Sequence, residues 1–535
     1  MHPVLHRART VLPALALAAL GSLASQPALA AFGVTDASGY LTVDSGAGLV
    51  FKVNKTNGDI TSMKLNGGVE LLGQTKGSQI SSGLSAVPSY TVSGSTALIT
   101  IPTSTLTHYL AVRSGENTVY MATYISAEPS VGELRWITRL DKNVFTGVPT
   151  ESNQTGNTGA IESTDVVGMS DGTTRSKYYG NQRAKDLYLR GVTGSGVGVY
   201  MAYGNRESSS GGPFFRDIQF KTDTDVEVTN YMNSGHNQTE AFRMGLHGPY
   251  AMLVTTGSTP STPDMSWMSS LSLTGWVASA SRGKVVLNGL SGMDSNYTYT
   301  VGFANDTAQY WGTASSSGAV SVAGMKPGTY TMTVYKGELG VYSESVSVSS
   351  GGTTTLNTRA ITADPSTQSV LWRVGDWDGT PLELLNGQTF SVRHPSDSRN
   401  ASWGTVAYAA GSANNKFPGA LWKDVNSGTT VSFTLTSAQL AARTLRIGIT
   451  AAYASGRPQV TVNSWSSSTP SASTQPSSRS LTIGTYRGNN TTFTYAIPAS
   501  AFVAGTNTLT INVASGSSGT AYLSPGFGVD CIDLY

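Results

Sequence analysis

The chain has 535 residues, of which 12% are charged, and it carries 60 glycines alongside abundant Ser and Thr. That length exceeds one ordinary domain and points to about three, while the near absence of long amphipathic helical spacing argues for an all-β protein of strands and turns. Basic and acidic residues number 34 and 32, and loss of Arg7 and Arg9 with a leader would balance them, so no basic field invites nucleic acid or anionic lipid.

Residues 1–30 read as a secretory signal peptide. His2, His6, Arg7 and Arg9 form a basic start, "VLPALALAALGSL" the apolar core, and Ala28-x-Ala30 a small-residue cleavage site. The mature chain is expected to begin at Ala31 and to be secreted into the extracellular medium. No other segment is apolar for long enough to span a bilayer, so no membrane partner is expected. Cys531 is the only cysteine, which rules out an intramolecular disulfide.

From residue 31 to 276 short strand-like segments follow one another, among them "TALITI", "TVYMATYI", "ELRWITRL", "GVGVYMAY" and "DVEVTNYM". The Pro/Ser/Thr-rich "TTGSTPSTPD" (255–264) marks a connector near the end of this unit. Residues 280–360 form a second, compact unit, where "TYTMTVY" alternates with period two after the turn "KPG", a small β-sandwich pattern. After "NTRAITADPST" (357–367), residues 365–535 form a third unit with the strands of a jelly-roll sandwich. Its segment "SSSTPSASTQPSSRS" (466–480) reads as an exposed loop, since strand patterns resume at once. There is no internal repeat and no evident metal-ligand cluster of His, Cys and carboxylates.

Three stretches hold residue types suited to chemistry. In "GELRWITRL" (132–140), strand alternation places Leu134, Trp136, Thr138 and Leu140 on the core side and Arg135, Ile137 and Arg139 on the other. Four residues along a strand separate the two arginines by roughly 13 Å, too far to clamp one carboxylate but suited to neighbouring anionic units of a polymer. The plainer alternative is a solvated face with ion pairs. "TTRSKYYGNQRAKD" (173–186) gathers Arg175, Lys177, Arg183 and Lys185 around Tyr178 and Tyr179. It is either a basic surface loop or the setting for a lysine whose proton affinity is lowered by nearby cations. In "YMNSGHNQTEAFRMGLHGPY" (231–250), His236 follows a strand that puts Glu227, Thr229 and Tyr231 on one face, whereas His247 reads as a structural residue of a glycine-bounded loop.

On these stretches the sequence resembles the rhamnogalacturonan lyases of polysaccharide lyase family 4, and the three-part layout extends the resemblance over the whole mature chain. It implies a large galactose-mutarotase-like β-sandwich, a fibronectin-III-like middle domain and a carbohydrate-binding-like jelly roll. It places the family's catalytic lysine and histidine on Lys177 and His236, substrate-binding arginines on Arg135 and Arg139, and an active-site tyrosine on Tyr231. Thr229 stands where the family pattern has a second aromatic, and the lone cysteine departs from disulfide-bonded fungal relatives.

The implied substrate is rhamnogalacturonan I, and the implied reaction is β-elimination at galacturonate. A base removes the C5 proton, a cation near the carboxylate stabilises the developing enolate-like charge, and an acid protonates the departing rhamnose oxygen at C4. Lys177 is assigned as base and His236 as acid, with the reverse open, and Arg135 or Arg139 is expected beside Lys177 to lower its proton affinity. No cofactor is implied for catalysis, and no ligand set for a structural calcium stands out. A monomer is expected. Three other readings compete. A glycoside hydrolase would need two flanking carboxylates, and no pair stands out among Glu133, Glu162, Asp165, Asp217, Glu227 and Glu240. A sugar-binding protein would need tryptophans of the last unit (Trp372, Trp377, Trp403, Trp422, Trp465) at the surface, although more of them are expected in the core. A mutarotase would leave two added β-domains unexplained. Asn296 and Asn305 begin sequons, as does Asn237, which is read as unmodified because a glycan there would obstruct His236.

Overall fold

Alternation of apolar and polar residues builds most of the strands. The computed structural model describes residues 31–236, 240–475, 480–484 and 489–535, so the expected signal peptide and Asn237 lie outside the described residues. Strand Thr96–Pro102 ("TALITIP") buries Ala97, Ile99 and Ile101 and leaves the alternate residues half-buried or exposed. It belongs to a seven-stranded antiparallel sheet that runs from the edge strand Ser89–Ser93 to Leu189–Gly194. The first unit also has two four-stranded sheets, one built from Gly33 to Leu65 and one holding Leu134–Leu140 and Val226–Asn233 at its centre, and a small three-stranded sheet. Phe51, Ile99, Met121, Trp136, Val228 and Met252 share the core enclosed by these sheets.

The central strands of the large sheet are apolar on both faces, and the outer face also needs cover. Residues 265–276 supply it. Met265, Met268 and Leu273 pack on Tyr120, Tyr200, Ala251 and Leu253, with Trp267 and Trp276 at the margin. The stretch after the expected connector is therefore an integral layer of the first unit.

In the second unit a four-stranded sheet faces a three-stranded one. Tyr330, Met332 and Val334 point into its core, on the period-two pattern expected of "TYTMTVY". The third unit has two five-stranded sheets. Trp372, Trp377, Trp403 and Trp422 are all buried there and Trp465 is half-buried, so these rings serve packing. Cys531 is likewise buried, in the core shared with the second unit. Among the described residues no helix is long and apolar enough to cross a membrane.

The reading of His247 as a loop residue needs correction. It lies within strand Gly245–Thr255, paired with Thr123, just before a register shift that accommodates the cis Gly248–Pro249 bond. Sequence patterning misses this because the bulge interrupts alternation with Gly and Pro, which ordinarily signal a turn. Its ring is 1% exposed, with Nε2 at 3.0 Å from the carbonyl oxygen of Arg243. His108 is equally buried, stacked on Trp136 and bonded to Thr123. Burial pushes both imidazoles down to about 3.

A pH effect on stability follows. Below about pH 6.5 the unfolded chain protonates these rings while the native state leaves them neutral, so stability falls with pH by about 1.4 kcal/mol per unit for each, until the native values are reached. Denaturant titrations of His247→Gln between about pH 4.5 and 6.5 are expected to lose about one proton's worth of this slope. An unchanged slope would contradict the buried, neutral state.

Candidate active site

Register places the first pair of candidate residues. Strand Leu134–Leu140 runs antiparallel to Val226–Asn233, with Arg135 opposite Tyr231 and Arg139 opposite Glu227. The Arg135 guanidinium lies 5.6 Å from the Tyr231 ring centre, a cation–π contact. Arg139 instead pairs across the strands with Glu227 at 3.3 Å and donates to the Gly77 carbonyl at 2.8 Å. It is 7% exposed. Both arginines are therefore ion-paired, Arg139 with Glu227 and Arg135 with Glu133, and only Arg135 lies against the Tyr231 ring. Thr229 is buried too, donating to the Ile218 carbonyl at 2.6 Å.

Beyond Asn233 the chain leaves the sheet through Ser234 and Gly235, whose added Cβ would stand only 3.0 Å from the Gly132 carbonyl oxygen. The His236 amide donates to Ser234 Oγ at 3.0 Å, which fixes the turn. The imidazole then lies between two carboxylates. Nε2 is 2.9 Å from Glu133 Oε1, and Nδ1 is 3.2 Å from Asp217 Oδ1. A protonated imidazole donates at both nitrogens, and here an acceptor faces each. Glu133 also pairs with Arg135, so one carboxylate links the arginine to the histidine. The Asp217 side chain is 3% exposed. Burial raises its pKa, but the His236 charge and hydrogen bonds from His236, Ser234 and the Ile218 amide prevail and hold it below the usual carboxylate range. The Tyr231 phenol is pushed up by burial.

Lys177 arrives from another direction. It follows Thr174–Ser176, the last strand of a small three-stranded sheet with Gly159–Glu162 and Val166–Gly168. Its Nζ is 2.9 Å from Oδ1 of Asp165, in the turn between the first two of these strands. The next residue, Tyr178, joins the two halves of the site. Its ring centre is 5.3 Å from Lys177 Nζ and 5.2 Å from the His236 ring, which it meets edge-on. Lys177 and His236 keep 25% and 23% of their side-chain surface exposed, within reach of a ligand, whereas Asp217 is sealed behind them. The charge expected beside Lys177 was an arginine. The structure puts the Asp165 carboxylate there, while Arg135 pairs with Glu133 and Arg139 with Glu227.

Sequence reasoning thus missed Tyr178, Glu133, Asp165 and Asp217 as members of the site. Glu133 was accessible to strand alternation, since it lies two residues before Arg135. Asp165 and Asp217 had no local signal, being brought in by tertiary contacts. Glu133 and Asp217 address one imidazole, which is not the arrangement of a hydrolase's flanking pair. Among the described residues, no group of three or more His, Cys, Asp or Glu is placed to hold a metal ion. A cavity of about 490 Å³ at the joint of the first two units, lined by Trp276, Arg282 and Tyr310 among others, contains none of the five predicted residues.

Comparison with known proteins agrees along the whole described chain. Residues 32–275 match the family model described as rhamnogalacturonan lyase B, N-terminal, while 280–356 and 370–534 match polysaccharide lyase family 4, domains II and III. A probable rhamnogalacturonate lyase A of Aspergillus fumigatus is 48% identical over 518 residues, covering 95% of this chain and 96% of that protein. Rhamnogalacturonate lyase A of Aspergillus aculeatus is 46% identical over 523 residues, 96% of this chain and 97% of that protein. That of Emericella nidulans is 45% identical over 516 residues, 95% and 96% respectively. An all-β chain with a lysine and a histidine meeting over one tyrosine, matched in all three parts and nearly half identical to relatives over 96% or more of their length, belongs to polysaccharide lyase family 4.

Proposed function

We propose that this polysaccharide lyase is a secreted, monomeric endolyase that cleaves rhamnogalacturonan I between galacturonate and rhamnose by β-elimination, leaving a 4,5-unsaturated galacturonate. The observation that carries the reading is the meeting of Lys177 and His236 over Tyr178, with Arg135 joined to His236 through Glu133. Elimination needs a proton acceptor on one side of the sugar and a donor on the other. His236, with an acceptor at each nitrogen, suits the donor role at the leaving rhamnose oxygen. Lys177 takes the C5 proton as the neutral amine, after the bound sugar has displaced the Asp165 carboxylate from Nζ and the ammonium has released a proton to solvent. Arg135, beside Tyr231 on the strand pair, meets the uronate carboxylate and offsets charge as it builds on the enolate-like intermediate. These side-chain cations supply the positive charge, so the reaction requires no metal.

The test is incubation with rhamnogalacturonan I while following ultraviolet absorbance and reducing ends together, with and without excess chelator. A lyase makes an absorbing unsaturated uronate at each cut, at the same rate in both conditions. New ends without absorbance would mean hydrolysis. A rate abolished by chelator and restored by one divalent cation would overturn the metal-free mechanism.

A further inference from the structure

The small sheet that presents Lys177 is part of none of the larger sheets of the first unit. The first unit holds it at Ser176, whose amide donates to the Glu151 carbonyl at 2.9 Å, and the third unit adds a set of contacts around Lys177. The amide and hydroxyl of Thr174, three residues before Lys177, donate to Asp397 Oδ2 at 2.7 and 2.8 Å. The same hydroxyl accepts the His394 amide at 3.0 Å. Three residues after Lys177, the Gly180 amide donates to the Ser391 carbonyl at 2.8 Å. Tyr179 Oη donates to the Thr482 carbonyl at 2.7 Å. Ile483 then enters the apolar cluster of Tyr178 and Tyr231, the rings that touch His236.

The clasp is built for order. Asp397 is 3% exposed and receives the Arg399 guanidinium at 2.7 and 2.8 Å, so its carboxylate is fixed before it meets Thr174. His394 is 2% exposed; its Nδ1 accepts the Ser396 amide at 3.1 Å, which leaves the Nε2 proton facing Glu162 of the small sheet at 3.3 Å. Buried, hydrogen-bonded polar contacts such as those of Asp397 with Thr174 and Arg399 fix geometry more sharply than apolar packing alone.

We propose that the third unit is a positioning part of the catalytic centre, with Asp397 as the residue that sets the place of Lys177 through Thr174. The inference rests on Lys177 acting in catalysis, as proposed above. A catalytic group displaced by about 1 Å costs on the order of a hundredfold in rate, so loosening this clasp should reach the chemistry without touching the substrate.

The experiment uses the full chain. Asp397→Ala is expected to lower kcat about tenfold or more, with KM within about threefold, and to move the limb of the pH–rate profile that Lys177→Ala removes. Asp397→Asn, whose amide oxygen can still accept from Thr174, is expected to recover kcat to within about threefold of the parent. Tyr179→Phe removes only the hydroxyl that reaches Thr482 and decides the matter if Asp397→Ala fails to fold; its kcat is expected to fall several-fold at an unchanged melting temperature. A folded Asp397→Ala with parental kcat and an unmoved pH profile, while Lys177→Ala is dead, would overturn this inference alone. Full activity in Lys177→Ala would overturn the reading beneath it.

Discussion

Lys177→Ala and His236→Ala are each expected to lower kcat by about 10³-fold or more on rhamnogalacturonan I, with the fold intact. General acid and general base assistance contribute about 10²–10⁴-fold apiece, and neither side chain is a core element, with 25% and 23% of their surface exposed. Removing Lys177 leaves Asp165, itself 14% exposed, without this cation. A partly hydrated ion pair of this kind contributes little to stability, so the melting temperature should shift by only a few degrees. The two variants should differ in their pH–rate profiles, each losing the limb that its side chain supplies. Activity within about threefold of the parent in either alanine variant would remove that residue from the mechanism.

Asp217→Asn is expected to be the next most damaging change, lowering kcat about a hundredfold or more while KM changes little. A buried carboxylate that orients an imidazole fixes its tautomer and supports its charged form, and an amide in that place does neither. Here the carboxylate faces Nδ1 at 3.2 Å and is only 3% exposed, so its effect must pass through the ring. The folded pKa of Asp217 is held down, so its stabilising contribution is fully present above the unfolded value of about 3.9 and is lost as pH falls through the folded one. The asparagine variant should therefore lose stability near neutrality and lose progressively less toward acid. Nuclear magnetic resonance of the His236 ring offers the direct check. Parental ring titration together with parental kcat would show that Asp217 plays no part.

Much of this architecture was legible because strand patterning is local. "TYTMTVY" and "TALITI" alternate in sequence and alternate in burial, since each residue's face follows from its neighbour's. Tyr231 and His236 were legible for a similar reason, a strand followed at once by a turn. His247 was misplaced because a bulge carries Gly and Pro inside a paired strand. Arg139 was grouped with Arg135 because alternation assigns a face but not a partner. Only the cross-strand register shows Glu227 opposite one and Tyr231 opposite the other.

By itself, then, the amino-acid sequence determined the all-β class, the lack of an intramolecular disulfide and which short stretches hold reactive side chains, because composition and period are properties of neighbouring residues. The tertiary structure decided which charges meet. Asp165 at Lys177, Asp217 and Glu133 at His236, and Asp397 behind Thr174 join strands and loops separated by as many as 223 residues. Electrostatic and hydrogen-bond partners are set by distance in space, and that distance exists only once the sheets have paired and the three units have docked.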